Sequence, residues 1–272
     1  MSENVIYCYS GTGNCLDMAK KIAKGMGGAD IVLMRKAPAV TDATGYQRVG
    51  FVVPCYGGGL PGGVEDYVKS IRIAPDAYKF GVIQFAGYMG SGLHKIDRIV
   101  DLDYWNTLPM HSSAIWLMPH WLCFPPKSVK MSLKGLDRKA AKIAKDVQAK
   151  TVSAKKPPKR TICAVESAGF PKVNKLLNKS MYVSDTCIGC GTCAKLCPKG
   201  NIEIRGGKAH VGTNCIACMT CVQYCPKEAI NVGRTSSPRR SSTSDREHVI
   251  RTRLQAEHAR WILSRASGSD FM

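Results

Sequence analysis

The feature that most restricts how this chain can fold is a run of cysteines that occurs twice. CIGCGTCAKLCPKGNIEI at 187–204 returns as CIACMTCVQYCPKEAINV at 215–232, an offset of 28 residues with nine of eighteen positions identical. Each copy reads C-x2-C-x2-C-x3-C-P: Cys187, Cys190, Cys193 and Cys197 before Pro198, then Cys215, Cys218, Cys221 and Cys225 before Pro226. Self-similarity at a fixed offset predicts two halves related by pseudo-symmetry. Each proline stops a helical turn and redirects the chain.

The N-terminus, MSENVIYCYS, has no basic segment leading into an apolar core and cleavage site, so a cytoplasmic address is expected. Thiols stay reduced there, and thirteen cysteines in 272 residues then point to metal or redox chemistry rather than to a disulfide framework. Three thiolates spaced by two residues on one tight loop can surround three corners of an iron–sulfur cube, leaving the fourth to a distant residue. Structural zinc also accepts four thiolates, but its sites come as two separated pairs, which neither run offers. In two-cluster proteins the fourth cysteine of each run ligates the other cluster. Cys187, Cys190, Cys193 and Cys225 are therefore assigned to one 4Fe–4S cluster, and Cys215, Cys218, Cys221 and Cys197 to a second. Gly189 and Gly191 let backbone N–H groups approach the sulfurs. Over residues 181–233 the chain resembles bacterial-type ferredoxins with two 4Fe–4S clusters, which implies low-potential one-electron transfer through a compact α+β module. Cys8, Cys15, Cys55, Cys123 and Cys163 show no such spacing and read as buried or incidental thiols.

Before residue 150 the pattern changes. Short apolar runs alternate with helix-period segments, the signature of a parallel sheet covered by helices. Strands are expected near Val5–Tyr9, Ile31–Met34, Arg48–Val53, Lys79–Phe85 and Ala114–Met118, with helices starting near Asn14, Gly63 and Gly92 and a fourth over Asp137–Lys150. The fold class is α/β, a doubly wound parallel five-stranded sheet. TVSAKKPPKR after Lys150 reads as the start of a basic linker, because paired prolines cannot continue a helix. The expected organisation is a sheet domain over 1–150, a linker over 151–180, the cysteine domain over 181–233, and a Ser/Arg-rich tail over 234–272 whose first half is expected to be disordered. The longest apolar stretch, Ala114 to Phe124, is broken by Pro119 and His120, so no membrane span is expected.

The first strand runs into CYSGTGNC, residues 8–15. A P-loop would need G-x-x-x-x-G-K-S/T, and a dinucleotide fingerprint would need glycine where Leu16 stands; neither is present. What remains is a strand end at Ser10, a turn carrying Gly11, Thr12, Gly13 and Asn14, then Cys15 in the first turn of a helix. Hydroxyls and free N–H groups at a helix start suit a terminal phosphate; a helix cap without ligand explains the same residues. Ligands of doubly wound sheets lie beyond the carboxyl ends of the strands. There, PCYGGGLPGG (54–63) follows the third strand, with Tyr56, Gly57 and Gly58, and FAGYMGSG (85–92) follows the fourth, with Gly87, Tyr88 and Gly90. Each loop offers glycines for close approach and a tyrosine able to stack on a flat ring. The three loops together fit a flavin mononucleotide (FMN).

The first domain resembles a flavodoxin, YSGTGN looking like that family's phosphate loop, with Cys15 where flavodoxins usually provide another hydroxyl. The resemblance carries over Ser10, Thr12, Gly13 and Asn14 as phosphate-binding positions. The whole order is similar to a bacterial and archaeal flavodoxin–ferredoxin fusion family. WLMPHW after the fifth strand and CPKEAI also look like that family, whereas the tail after residue 233 does not. The resemblance implies an electron carrier that couples two 4Fe–4S clusters to FMN, converting between one- and two-electron partners. Two alternatives stay open at this point: a flavin oxidoreductase acting on a small acceptor or NAD(P)H, with Tyr56, Tyr88 and His120 at its pocket, and a ferredoxin carried on an empty flavodoxin-like scaffold. Of the formal charge of +19, over half lies beyond residue 150. No nucleic-acid motif accompanies it, so acidic redox proteins are the expected partners.

Overall fold

The computed structural model describes residues 2–34, 40–85, 88–109 and 126–232. Two compact units divide the chain, one of Met1–Ser10 and Asn14–Pro171, the other of Gly11–Gly13 and Lys172–Met272. The first runs β1 (Asn4–Cys8), α1 (Asn14–Gly25), β2 (Asp30–Leu33), β3 (Thr41–Ala43), β4 (Arg48–Pro54), α2 (Val64–Lys69), β5 (Ile71–Ile73), β6 (Tyr78–Phe85), α3 (Gly92–Val100), β7 (Tyr104–Pro109), α4 (Pro126–Gln148) and the start of α5 (Thr161–Lys179).

Five strands form one parallel sheet in the order β2-β1-β4-β6-β7. Counting the sheet's own strands, this is the flavodoxin-like order 2-1-3-4-5, with its switch point between β1 and β4. Helices cover both faces, so NVIYC of β1, VGFVV of β4 and FGVIQ of β6 are buried as continuous runs. Right-handed crossovers put α1 on one face and α2 and α3 on the other. Against α1 packs α4, through a buried stripe of Leu136, Ala140, Ile143, Ala144 and Val147.

The fifth strand of the sheet is β7, Tyr104–Pro109. Ala114–Met118, where the apolar pattern predicts that strand, lies outside the described residues, as do Gly87, His120, Cys123 and the tail. Two short strands that the pattern does not reveal, β3 and β5, pair in parallel apart from the main sheet. Residues 151–160, expected to be a linker, are fastened along the first unit. Tyr78 Oη donates to the Thr151 carbonyl at 2.6 Å, Ser153 N to the Asp103 carbonyl at 2.9 Å and Trp105 Nε1 to the Lys155 carbonyl at 2.7 Å. Lys156 Nζ reaches Asp101 at 2.6 Å and the Leu102 carbonyl at 2.8 Å. Ser91 Oγ donates to the Arg160 carbonyl at 3.2 Å and accepts from Arg160 N at 3.1 Å.

In the second unit β8 (Met181–Val183), α6 (Thr192–Leu196), β9 (Ile202–Arg205), β10 (Lys208–Val211), α7 (Thr220–Gln223) and β11 (Ile230–Val232) follow. β8 pairs antiparallel with β11, and β9 with β10. Ile202, Ala209 and Ile230 pack around Cys193 and Cys221, and Leu196 and Ala229 are fully buried as well. A domain this small needs something besides apolar side chains to hold it.

Candidate metal centres and cofactor loops

The two halves of the cysteine repeat bring their thiols together in crossed sets. Cys187, Cys190, Cys193 and Cys225 line one void, beside Ile188 and Lys227. Cys197, Cys215, Cys218 and Cys221 line another, beside Met181 and Lys199. Among the described residues no three His, Cys, Asp or Glu side chains lie close enough to share a single ion.

Backbone geometry repeats with the sequence offset. Asn201 N donates to Cys197 Sγ at 3.3 Å, and Ala229 N, its counterpart, to Cys225 Sγ at 3.2 Å. Ala217 N adds a bond to Cys215 Sγ at 3.3 Å. Gly189, Gly191 and Gly200 have φ of +62°, +75° and +56°. Their counterparts Ala217, Met219 and Glu228 hold +54°, +58° and +48° without being glycine. Both halves thus need the left-handed turn that aims N–H groups at sulfur, and only the first half has the residue that adopts it without strain.

The thiols differ electrostatically. Burial pushes Cys221 far up, and also raises Cys215 and Cys193. Cys190 is exposed, and the Thr192 hydroxyl and N–H hold its thiol below the ordinary value. Iron takes thiolate, so a cluster held by these cysteines would displace the protons that burial retains on the raised groups.

At the end of β1, Gly13 is left-handed with φ +96° and α1 begins at Asn14. Leu16 N donates to Ser10 Oγ at 3.3 Å, so the Ser10 hydroxyl satisfies one of the helix's first free N–H groups. The Cys15 side chain is 2% exposed and its Sγ donates to Gln84 Oε1 at 3.0 Å. Burial, and then the Cys8 thiol, keep it protonated, so what Cys15 offers a phosphate is its N–H. No carboxylate falls between Ser10 and Cys15. Hydroxyls and N–H groups at a helix start make a donor set that fits a phosphate.

The other two loops meet. Tyr56 and Gly59 exchange backbone bonds at 3.1 and 2.9 Å, and Ser91 N donates to the Gly58 carbonyl at 2.8 Å, joining the loops after β4 and β6. Tyr56 sits edge-on to Tyr9 with ring centroids 6.3 Å apart, while Tyr88 is 39% exposed. Gly90, with φ +62°, lies against Gly58 and the Cys55 thiol. The sequence pattern misses Phe170 and Ser167. Their helix α5 carries Pro171 in its interior and a basic composition, which read as linker, yet Phe170 and Ser167 press on Gly57 and Gly59.

Residues 179–231 match the family of 4Fe-4S dicluster domains. A comparison with curated proteins finds no match. Among solved structures, the chain is similar to a flavodoxin from the domain Archaea, at 14% identity over 53% of this chain and 99% of that one, with a TM-score of 0.35. It is also similar to the azoreductase of Bacillus anthracis, at 8% identity over 52% and 98% with a TM-score of 0.37, and to a flavodiiron core from Synechocystis sp., at 16% identity over 54% and 36% with a TM-score of 0.36. The chain spans about a third of that flavodiiron core. Residues 179–231 thus belong with the 4Fe-4S dicluster domains, which supports a role in redox electron transfer, and the parallel sheet that precedes them has the flavodoxin-like strand order.

Proposed function

We propose that this chain couples two 4Fe–4S clusters to a bound FMN, passing electrons between redox partners that work in single-electron and two-electron steps. The observation that carries the reading is the sorting of eight cysteines into two crossed sets of four, each around its own void. When bound, the clusters would exchange electrons singly and the flavin in ones or twos. The protein's part is to bind and to orient. Cys187, Cys190, Cys193 and Cys225 hold one cluster; Cys197, Cys215, Cys218 and Cys221 hold the other. N–H groups of Asn201, Ala217 and Ala229 bond to the ligand sulfurs and help set the potentials. Ser10, Gly11, Thr12, Gly13, Asn14 and the Cys15 N–H ring the phosphate, and Tyr56, Gly58, Tyr88 and Gly90 border the flavin ring. The sheet domain thus holds the flavin, residues 181–233 hold the clusters, and residues 151–180 join them.

Iron, sulfide and released flavin, measured per chain after oxygen-free purification, test the proposal. Eight irons with one FMN is the expected result. Four irons would remove one cage from the reading, and eight irons without affinity for FMN would reduce the sheet domain to a scaffold. The surplus of positive charge suits acidic redox proteins, so electron exchange with such a partner is expected to slow as salt rises.

A further inference from the structure

Gly57 and Gly59 are not open positions. A Cβ on Gly57 would collide with the ring and Cβ of Phe170, and one on Gly59 with the Ser167 hydroxyl. Gly57 is also left-handed, with φ +49°. The loop after β4 and the first half of α5 therefore share one surface. Lys95 Nζ adds a bond to Ser167 Oγ at 3.4 Å, and His94 Nδ1 lies 3.2 Å from the Pro157 carbonyl. The fastened segment 151–160 follows β7 and then α3 toward its N-terminus, ending at Ser91. That path delivers α5 to the carboxyl ends of the strands, where a doubly wound sheet places its ligand. Cys163 on α5 is 2% exposed and Phe170 is half-buried against the loop, whereas Val165 on the same helix is 74% exposed. The ring of Phe170 is held at the loop and not simply spread on the surface.

We propose that the first half of α5 is a wall of the flavin site, with Phe170 the aromatic surface beside which a flavin ring lies. This rests on the FMN reading. The Gly58–Ser91 bond joins the loops after β4 and β6 into one platform, and Phe170 occupies the space over Gly57 on that platform. A flat heterocycle seated there meets an apolar face that excludes water and favours offset stacking. The ligand class is a planar aromatic ring system bearing a terminal phosphate.

Titrating FMN into full-length, cluster-loaded wild type, F170A, F170L and F170Y, following flavin fluorescence and visible absorption, tests the assignment. F170A is expected to weaken FMN binding about tenfold and to move the bound flavin's spectrum toward that of free FMN. F170L, which keeps bulk without the aromatic face, is expected to show the same spectral change, and F170Y to restore both readouts. Wild-type affinity and spectrum in F170L overturn the assignment, even where F170A fails to fold. Failure of wild type itself to bind FMN overturns the flavin reading and this wall with it, an outcome distinct from binding that ignores residue 170.

Discussion

Ala217, Met219 and Glu228 keep the left-handed backbone that glycine provides in the first half of the repeat. Each carries strain of about 1 kcal/mol, so A217G is expected to stabilise the second unit by up to about 1 kcal/mol in chemical denaturation of the cluster-loaded protein; a destabilised A217G would contradict this. Crossed ligation belongs to the same scale. C225S is expected to cost the cluster of Cys187, Cys190 and Cys193, and C197S the other. Iron content and the paramagnetic signal of the surviving cluster read the result, and loss of the same cluster in both variants would refute the crossing. The grouping of the cysteines into two sets of four was legible in the sequence because their spacing is a local constraint. The reason for Gly57 was not, because Phe170, the side chain that forbids a Cβ there, comes from far along the chain. G57A is expected to destabilise by about 1–3 kcal/mol, and by less in an F170A background, as thermal melting would show.

Strands buried on both faces announced themselves as apolar runs. β7 did not: YWNTLP carries Asn106 and Thr107, is buried only at Tyr104 and Leu108, and ends in Pro109 at the sheet's edge. α5 hid behind its internal proline, and the segment before it looked free because many of its anchors are backbone groups that no composition reveals. S91A removes both bonds to Arg160 and is expected to speed amide exchange and proteolysis within 151–160 while leaving the sheet's exchange unchanged; equal protection would show that these bonds do not hold the segment. At the other side of β7, Tyr104 Oη donates to Asp146 Oδ2 at 2.7 Å, where Lys142 also bonds. Burial works to raise the Asp146 carboxyl, but the Lys142 ammonium and Tyr104 hydroxyl together hold it below its ordinary value. A depressed folded-state pKa gives stability that is present above about pH 4 and lost as the pH falls through the depressed value. D146N is therefore expected to cost about 1 kcal/mol at neutral pH, with the difference from wild type closing in acid.

Two compact units of very different core make up the molecule. The sheet unit buries Val5, Ile6, Phe51, Phe80 and Ile83 completely and has what it needs to stand by itself. The cysteine unit is small and builds its core around thiols, so cluster binding is expected to supply much of its folding energy. Stripping iron with a chelator is expected to leave the parallel sheet's circular dichroism and melting transition in place while abolishing the second unit's transition. The place of the boundary between the units, at Pro171, depends on packing that no local pattern records. Electron exchange within one chain is the central claim. It is tested most directly by photoreducing the clusters of the FMN-loaded protein and following flavin absorbance over a series of protein concentrations. Bleaching of the flavin at a rate independent of concentration is the predicted result, whereas reduced clusters beside a flavin that stays oxidised, or a rate proportional to concentration, would contradict it.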